Sequence, residues 1–192
     1  MKTRNRIIGC LLTAVLLLAL APCVLAEDAG DAYVLRLGAP EEQTVTDAAS
    51  GNEYSYYRVP ISVKNNTDTT AKVAFVSLHL RYDSNLRPAD FVYWDKKSGE
   101  AVQFPFVSAA LSGWDWAADQ GNGLSISAVS ETGQELKAGE ETVFAYANFQ
   151  VDDNADSGTY QIGTSWEGET ETAVVGFSDG TDITAGNGLD AR

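Results

Sequence analysis

The residues of this chain that could do chemistry are mostly carboxylates. The sequence has 27 Asp and Glu residues but a single histidine, His79. A nucleophile–base triad needs a histidine, an orienting acid and a positioned nucleophile, and no serine can be singled out as the partner of His79. Glycoside hydrolysis needs one carboxyl of raised pKa and a second carboxylate in a cleft, and no spacing selects such a pair. We therefore expect a protein without catalytic activity.

One acidic run, which begins at Asp152, resembles the start of a calcium-binding loop. An EF-hand loop requires Gly at its sixth position and Glu at its twelfth. Counted from Asp152, these positions hold Ser157 and Gly163. We interpret the run as an acidic hairpin turn. The sequence therefore predicts neither a metal site nor a cofactor.

The first 26 residues have the pattern of a secretory signal peptide. Three basic residues precede an apolar stretch over 7–20, and small residues lead up to Ala26. We expect cleavage after Ala26 and an extracellular, bacterial protein. Lipid attachment at Cys23 is disfavoured, because Pro22 occupies the position where a lipoprotein signal needs a small residue.

Removal of residues 1–26 makes the protein more acidic. This segment holds three of the 13 basic residues and none of the acidic ones, so the remaining chain has a net charge of −17. Such a charge repels nucleic acid and anionic membranes, and we expect neither as a partner. Both cysteines lie in the removed segment, so the hydrophobic core must hold the fold without a disulfide. We divide the rest into a short acidic linker, 27–32, and one domain, 33–192.

Period-two alternation of apolar and polar residues runs through this domain and predicts an all-β fold. In the segment from Phe75 to Tyr82, Leu78 and Leu80 share one face while Ser77 and His79 share the other. About nine such strands, separated by Gly- and Asn-rich turns, predict a two-sheet β-sandwich. The other predicted strands lie at 33–37, 57–64, 90–94, 107–117, 124–129, 142–151, 160–162 and 173–177.

Aromatic residues leave a second function open. The four tryptophans, Trp94, Trp114, Trp116 and Trp166, could form a sugar-binding platform. Alternation places Trp114 and Trp116 on one face of a strand with Asp115 on the other, and burial of an unpaired carboxylate is costly, so we predict that these two tryptophans are in the core. A carbohydrate-binding module that binds polysaccharide directly, and a ligand-free accessory domain, remain the alternatives.

Four segments resemble, in order, strands of the cohesin domain family: VPISVKN at 59–65, VSLHLRYD at 76–83, TVFAYANFQV at 142–151 and DSGTYQI at 156–162. The resemblance implies a nine-stranded sandwich with jelly-roll topology. It further implies a non-catalytic docking module that binds the dockerin modules of secreted glycoside hydrolases and related polysaccharide-degrading enzymes. The docking face would be a sheet surface built from the strands at 75–81, 107–117, 123–130 and 159–165.

The resemblance also implies a set of contact residues. Phe75 is the clearest of them, because it is a large apolar side chain on the otherwise polar face of its strand. Small side chains around it would let a helical partner approach closely. The positions carried over by strand alignment are Phe75, Ser77, His79, Ser127, Val129 and Ser130.

Overall fold

The computed structural model describes residues 31–156, 158–164, 173–185 and 188–191. The predicted signal peptide and residues 27–30 of the predicted linker lie outside the described residues. The described part of the chain is all-β, which confirms the predicted fold class, and it contains no helix that could span a membrane. Its strands are β1 Tyr33–Leu37, β2 Glu41–Thr46, β3 Glu53–Asn65, β4 Ala71–Tyr82, β5 Leu86–Pro88, β6 Val92–Asp95, β7 Glu100–Gln103, β8 Val107–Ala109, β9 Asp115–Gly121, β10 Gly123–Leu136, β11 Glu141–Val151, β12 Ile162–Gly163, β13 Ala173–Phe177, β14 Asp182–Ala185 and β15 Gly188–Ala191.

These strands outnumber the nine predicted, because several are short or polar. β5 and β7 have three and four residues, too few for a visible alternation. β2 has the sequence EEQTVT, which lacks an apolar period because it lies along one part of β3 with its side chains largely in solvent. The predicted jelly-roll connectivity stays a prediction.

The main sheet bends back on itself to form two layers around one core. Its strand order is β5-β11-β3-β1-β15-β14-β13-β4-β10-β9. Strands β3 and β4 are distant in this order, yet Ile61 of β3 and Leu78 of β4 are both buried in the same hydrophobic cluster. Two layers that share one core are the arrangement expected of a sandwich. Here the hydrogen bonding also continues through β14 and β15, so the layers are joined along one edge.

The segment 107–117 differs from its prediction as one strand. β8 pairs with β11, whereas β9 pairs with β10 in the other layer. The residues between them cross the end of the core, with Gly113 at a positive φ of 77° and Trp114 buried edge-on against Phe144, 5.1 Å between ring centroids. Only β9 therefore lies in the layer that was predicted to dock a partner.

Pro60 lies in a central strand, and the neighbouring chain accommodates it. β3 runs between β11 and β1, and Gly38 N–H donates to the Pro60 carbonyl at 2.8 Å. A residue's N–H and C=O point to the same neighbour in an antiparallel ladder, so the missing N–H of Pro60 faces Gly38, just after β1 ends. The proline therefore removes no hydrogen bond to β11.

Replacement of Leu78 by alanine tests the inward face of β4. Leu78 is 2% exposed within the core cluster, so Leu78→Ala should lower the free energy of unfolding by about 2–5 kcal/mol through the cavity it leaves. Urea unfolding followed by tryptophan fluorescence measures this change. The control is Val92→Ala, a similar truncation at a residue that is 54% exposed, which should change it by less than about 0.5 kcal/mol. Equal effects of the two substitutions would contradict the described packing.

Metal removal should leave the fold unchanged. The described residues contain no cluster of three or more His, Cys, Asp or Glu side chains placed to hold a metal ion. The acidic turn at Asp152 is closed by its own backbone, with Ala155 N–H donating to the Asp152 carbonyl at 2.9 Å. We expect the same melting temperature with and without EDTA, measured by circular dichroism. A lower melting temperature in EDTA that calcium restores would contradict this prediction.

Candidate docking face

The outward-pointing residues of β13, β4, β10 and β9 form one continuous surface, called the outer face below. Because side chains alternate along a strand, the residues of β4 that point away from the core are Phe75, Ser77, His79 and Arg81. The strand register aligns these with residues of the neighbouring strands. The aligned rows are Val174–Ser77–Ser127–Ala117, Gly176–Phe75–Val129–Asp115 and His79–Ser125–Asp119.

An apolar pair lies on the two middle strands of the outer face, at one end of its rows. Phe75 and Val129 are directly opposed on β4 and β10, and Val129 is 52% exposed. On its other side the phenyl ring lies over Gly176, where an added Cβ would be 3.1 Å from the Phe75 Cβ. The glycine therefore lets the ring lie against the sheet, so that Phe75 is half-buried. The expected outward orientation of Phe75 is confirmed.

The row beside this pair is made of small side chains. The hydroxyls of Ser77 and Ser127 are 3.1 Å apart and hydrogen-bonded, and Ala117 continues the row on β9. Paired hydroxyls leave few unsatisfied polar groups when a partner excludes water. This part of the outer face can therefore be covered closely by another backbone.

His79 is held by the turn between β9 and β10. Its Nε2 lies 2.9 Å from the Asn122 carbonyl oxygen and its Nδ1 lies 2.9 Å from the Ser125 hydroxyl. A carbonyl oxygen only accepts, so Nε2 carries a proton and donates it. Arg81 Nη1 donates to the same carbonyl. Because both ring nitrogens are engaged, His79 ties β4 to the turn between β9 and β10.

Ser130 lies inside the protein, which corrects its expected place among the contact residues. It follows the outward Val129 in β10, so alternation turns its side chain inward, and it is 5% exposed. A bulge separates Val129 from Gln134 in the pairing with β4. Gly133 N–H donates to the Ser130 hydroxyl at 3.1 Å, so this side chain stabilises the bulge.

Carboxylates flank the outer face on two sides. Asp115 and Asp119 lie along β9 and are exposed. Asp182 of β14 is paired with Gly176 and is also exposed. Sequence reasoning did not assign these residues to the site. The alternation of Trp114 and Trp116 with Asp115 was the available signal, because it predicted that Asp115 points outward.

The tryptophans divide between the core and the surface. Trp114 is buried, and Trp116 packs against the core cluster with its ring 6.2 Å from that of Trp114, as the alternation predicted. Trp94 is 43% exposed on the β6–β7 hairpin. Trp166 lies outside the described residues. The four tryptophans therefore do not form one platform among the residues that the structure describes.

No family model matches this chain, and no curated protein matches it. Among solved structures, the chain is similar to the sixth cohesin of scaffoldin B from Acetivibrio cellulolyticus, crystallised in complex with a mutant Cel5 dockerin. The sequences are 15% identical, the match covers 80% of this chain and 92% of that chain, and the TM-score is 0.49. That protein belongs to the family that the four sequence segments resemble.

The turn beneath His79 gives a matched pair of glycine substitutions. A Cβ on Gly123, whose φ is 119°, would lie 2.5 Å from the Leu80 carbonyl oxygen and 2.7 Å from His79 Nε2. Gly123→Ala should therefore displace His79 and lower the free energy of unfolding by about 1–3 kcal/mol, measured by urea unfolding.

Gly121→Ala is the control for this turn. For a Cβ on Gly121, the nearest atom beyond the adjoining residues would be the Asp119 Oδ2, at 4.0 Å. We expect a change of less than about 0.5 kcal/mol and an unchanged imidazole NMR signal. A Gly123→Ala protein as stable as this control would show that the turn does not pack against His79 as described.

Proposed function

We propose that this protein is a secreted, non-catalytic docking module that binds dockerin modules of polysaccharide-degrading enzymes through its outer face. The observation that carries the proposal is the apolar pair of half-buried Phe75 and exposed Val129, on the two middle strands of a sheet surface with small side chains beside it. An apolar pair beside small side chains on a sheet face is suited to the anchor of an interface. The resemblance of four sequence segments to the cohesin family supports the choice of partner, and the partner's enzymes would link the module to polysaccharide catabolism.

The dimensions of the outer face suit a helix. Four adjacent strands about 4.8 Å apart span roughly 15–19 Å, which exceeds the diameter of about 10–12 Å of a helix with its side chains. Ser77, Ser127 and Ala117 border the apolar pair and project little from the sheet. A helix laid across β4 and β10 would bury Phe75 and Val129 and lie close to this small-residue row.

The carboxylates beside the outer face predict which side chains the partner carries on its contact surface. Asp115 and Asp119 lie on one side of the apolar pair and Asp182 lies on the other, in a chain whose formal net charge is −14. A partner with an apolar anchor between Lys or Arg side chains would match this pattern. Exposed charges of this kind mainly speed association and weaken with salt, so the apolar pair supplies most of the affinity.

The distribution of carboxylates in the sequence supports a role without catalysis. The acid–base pair that glycoside hydrolysis needs is not indicated by any spacing in the sequence. The outer face therefore works by surface complementarity.

Two matched double variants test the proposal. Phe75→Ala with Val129→Ala removes the aromatic–valine pair of the outer face, whereas Val92→Ala with Trp94→Ala removes an aromatic–valine pair from the β6–β7 hairpin. Binding to recombinant dockerin-bearing glycoside hydrolases of the same organism is measured by calorimetry. The first variant should bind about tenfold more weakly or worse, since loss of an interface anchor typically costs about 2 kcal/mol.

The second variant should bind as the parent does, and both should keep the parent's melting curve. The proposal fails if the parent binds none of these dockerins. It fails equally if the outer-face variant binds them as tightly as the parent, because the docking surface would then lie elsewhere.

A further inference from the structure

The β6–β7 hairpin carries a second exposed aromatic surface. Its outward residues are Val92 and Trp94 on β6, paired with Gln103 and Ala101 on β7. Val92 and Trp94 are 54% and 43% exposed and, with Val129, are the exposed large hydrophobic residues of the described chain. The hairpin forms a sheet of its own beside β2 and β3. It therefore presents an apolar surface that the outer face does not include.

The backbone of Trp94 is fixed on both sides. The neighbouring residues of β6 pair with β7, while the turn after β2 holds Trp94 itself. Trp94 N–H donates to the Asp47 carboxylate at 2.7 Å, and Ala48 N–H donates to the Trp94 carbonyl at 3.0 Å. The Ser50 hydroxyl and the Trp94 N–H, both donating to Asp47, hold the pKa of that carboxyl below its usual value. The carboxylate is thus ionised across the ordinary pH range, and the indole is presented on an ordered backbone.

Stacked rings hold the hairpin to the main sheet. Phe91 and Phe104, at the base of the hairpin, stack at 4.4 Å between centroids, and Tyr54 of β3 stacks on Phe91 at 4.9 Å. Aromatic pairs of this geometry stabilise by more than their buried area. These rings therefore hold the hairpin against the main sheet without the indole of Trp94. The exposure of the Trp94 side chain is not explained by the fold.

The chemistry of this surface favours an uncharged ligand. Its four outward strand positions, Val92, Trp94, Ala101 and Gln103, carry no formal charge. Gln103 Nε2 donates to the nearby Asp90 carboxylate, which disfavours an anionic ligand and leaves the amide oxygen and the second amide hydrogen of Gln103 for a ligand. Ala101 lies opposite Trp94 and is small, and the Gln103 amide lies diagonally from it, about 7–8 Å away in such a pairing. An aromatic face beside an amide offers stacking to the C–H face of a sugar ring and hydrogen bonds to its hydroxyls.

The size of the surface argues against a protein partner. Four residues of β6 extend over roughly 13 Å and the hairpin is two strands wide. A stable protein interface buries about 800 Å² on each partner, several times what this patch offers. A short stretch of a linear, hydroxyl-bearing chain fits the patch better than a second copy of the protein does.

We propose that the β6–β7 hairpin is a binding site for neutral polysaccharide, in which the indole of Trp94 stacks on a sugar ring and Gln103 hydrogen-bonds its hydroxyls. The site is separate from the outer face. The module would then contact the polysaccharide while its outer face holds an enzyme.

Affinity electrophoresis tests this site. The protein is run in gels that contain hydroxyethylcellulose, xyloglucan, galactomannan or anionic polygalacturonate. At least one neutral polymer should retard the parent, and Trp94→Ala should weaken that binding by about tenfold or more. Trp94→Phe, which keeps an aromatic ring, should retain part of it and serves as a second variant if the alanine protein is unstable. Phe75→Ala with Val129→Ala should be retarded as the parent is.

Four results would overturn the inference: no retardation by any neutral polymer, retardation by polygalacturonate alone, equal retardation of the Trp94 variants and the parent, or a dimer in sedimentation that Trp94→Ala dissociates. Dockerin binding by the same variants is measured separately. A failure of the polysaccharide site therefore leaves the docking proposal testable by itself, and the reverse also holds.

Discussion

The register between β4 and β10 is the constraint on which the rest of the structure depends. Ser77 pairs with Ser127 and Phe75 with Val129, and in the same register Leu78 and Ile126 meet inside the core. Because the side-chain period of a strand is two, a slip of one residue would turn the leucines outward and the serines inward. Burial of the core side chains therefore fixes which residues the outer face presents.

The neighbouring elements adapt this face for docking. β9 extends it by one strand and adds carboxylates at its edge, since burial of Trp116 turns Asp115 and Asp119 outward. β13 contributes Gly176, whose missing side chain gives the ring of Phe75 a place against the sheet. The bonds from His79 to the β9–β10 turn hold the far end of this layer. Each of these features follows from a packing requirement, and together they give an apolar pair with carboxylates on both sides.

Much of this could be predicted from the sequence, because strand alternation is a local property. The all-β class, the outward direction of Phe75 and His79, and the inward direction of Trp114 all follow from period two. The division of 107–117 into β8 and β9 could not be predicted, since it depends on which distant strand each half pairs with. The burial of Ser130 was likewise missed. The contact positions were transferred from the cohesin family by strand alignment, without regard to the side-chain alternation and the bulge of β10. The hydrogen-bond partners of His79 could not be predicted either, because they lie in and beside a turn more than 40 residues away along the chain.

The central claim is that a partner is bound by the layer of β4, β10 and β9, with Phe75 and Val129 as its apolar anchor. A titration of the ¹⁵N-labelled protein with an unlabelled dockerin-bearing enzyme fragment, followed by NMR, tests it most directly. The account predicts that backbone amide signals shift or broaden along β4, β10 and β9, with the largest changes near Val129. Signals of β3 and β11 in the opposite layer should stay in place. Changes concentrated in β3 and β11, with β4 and β10 unaffected, would contradict the account.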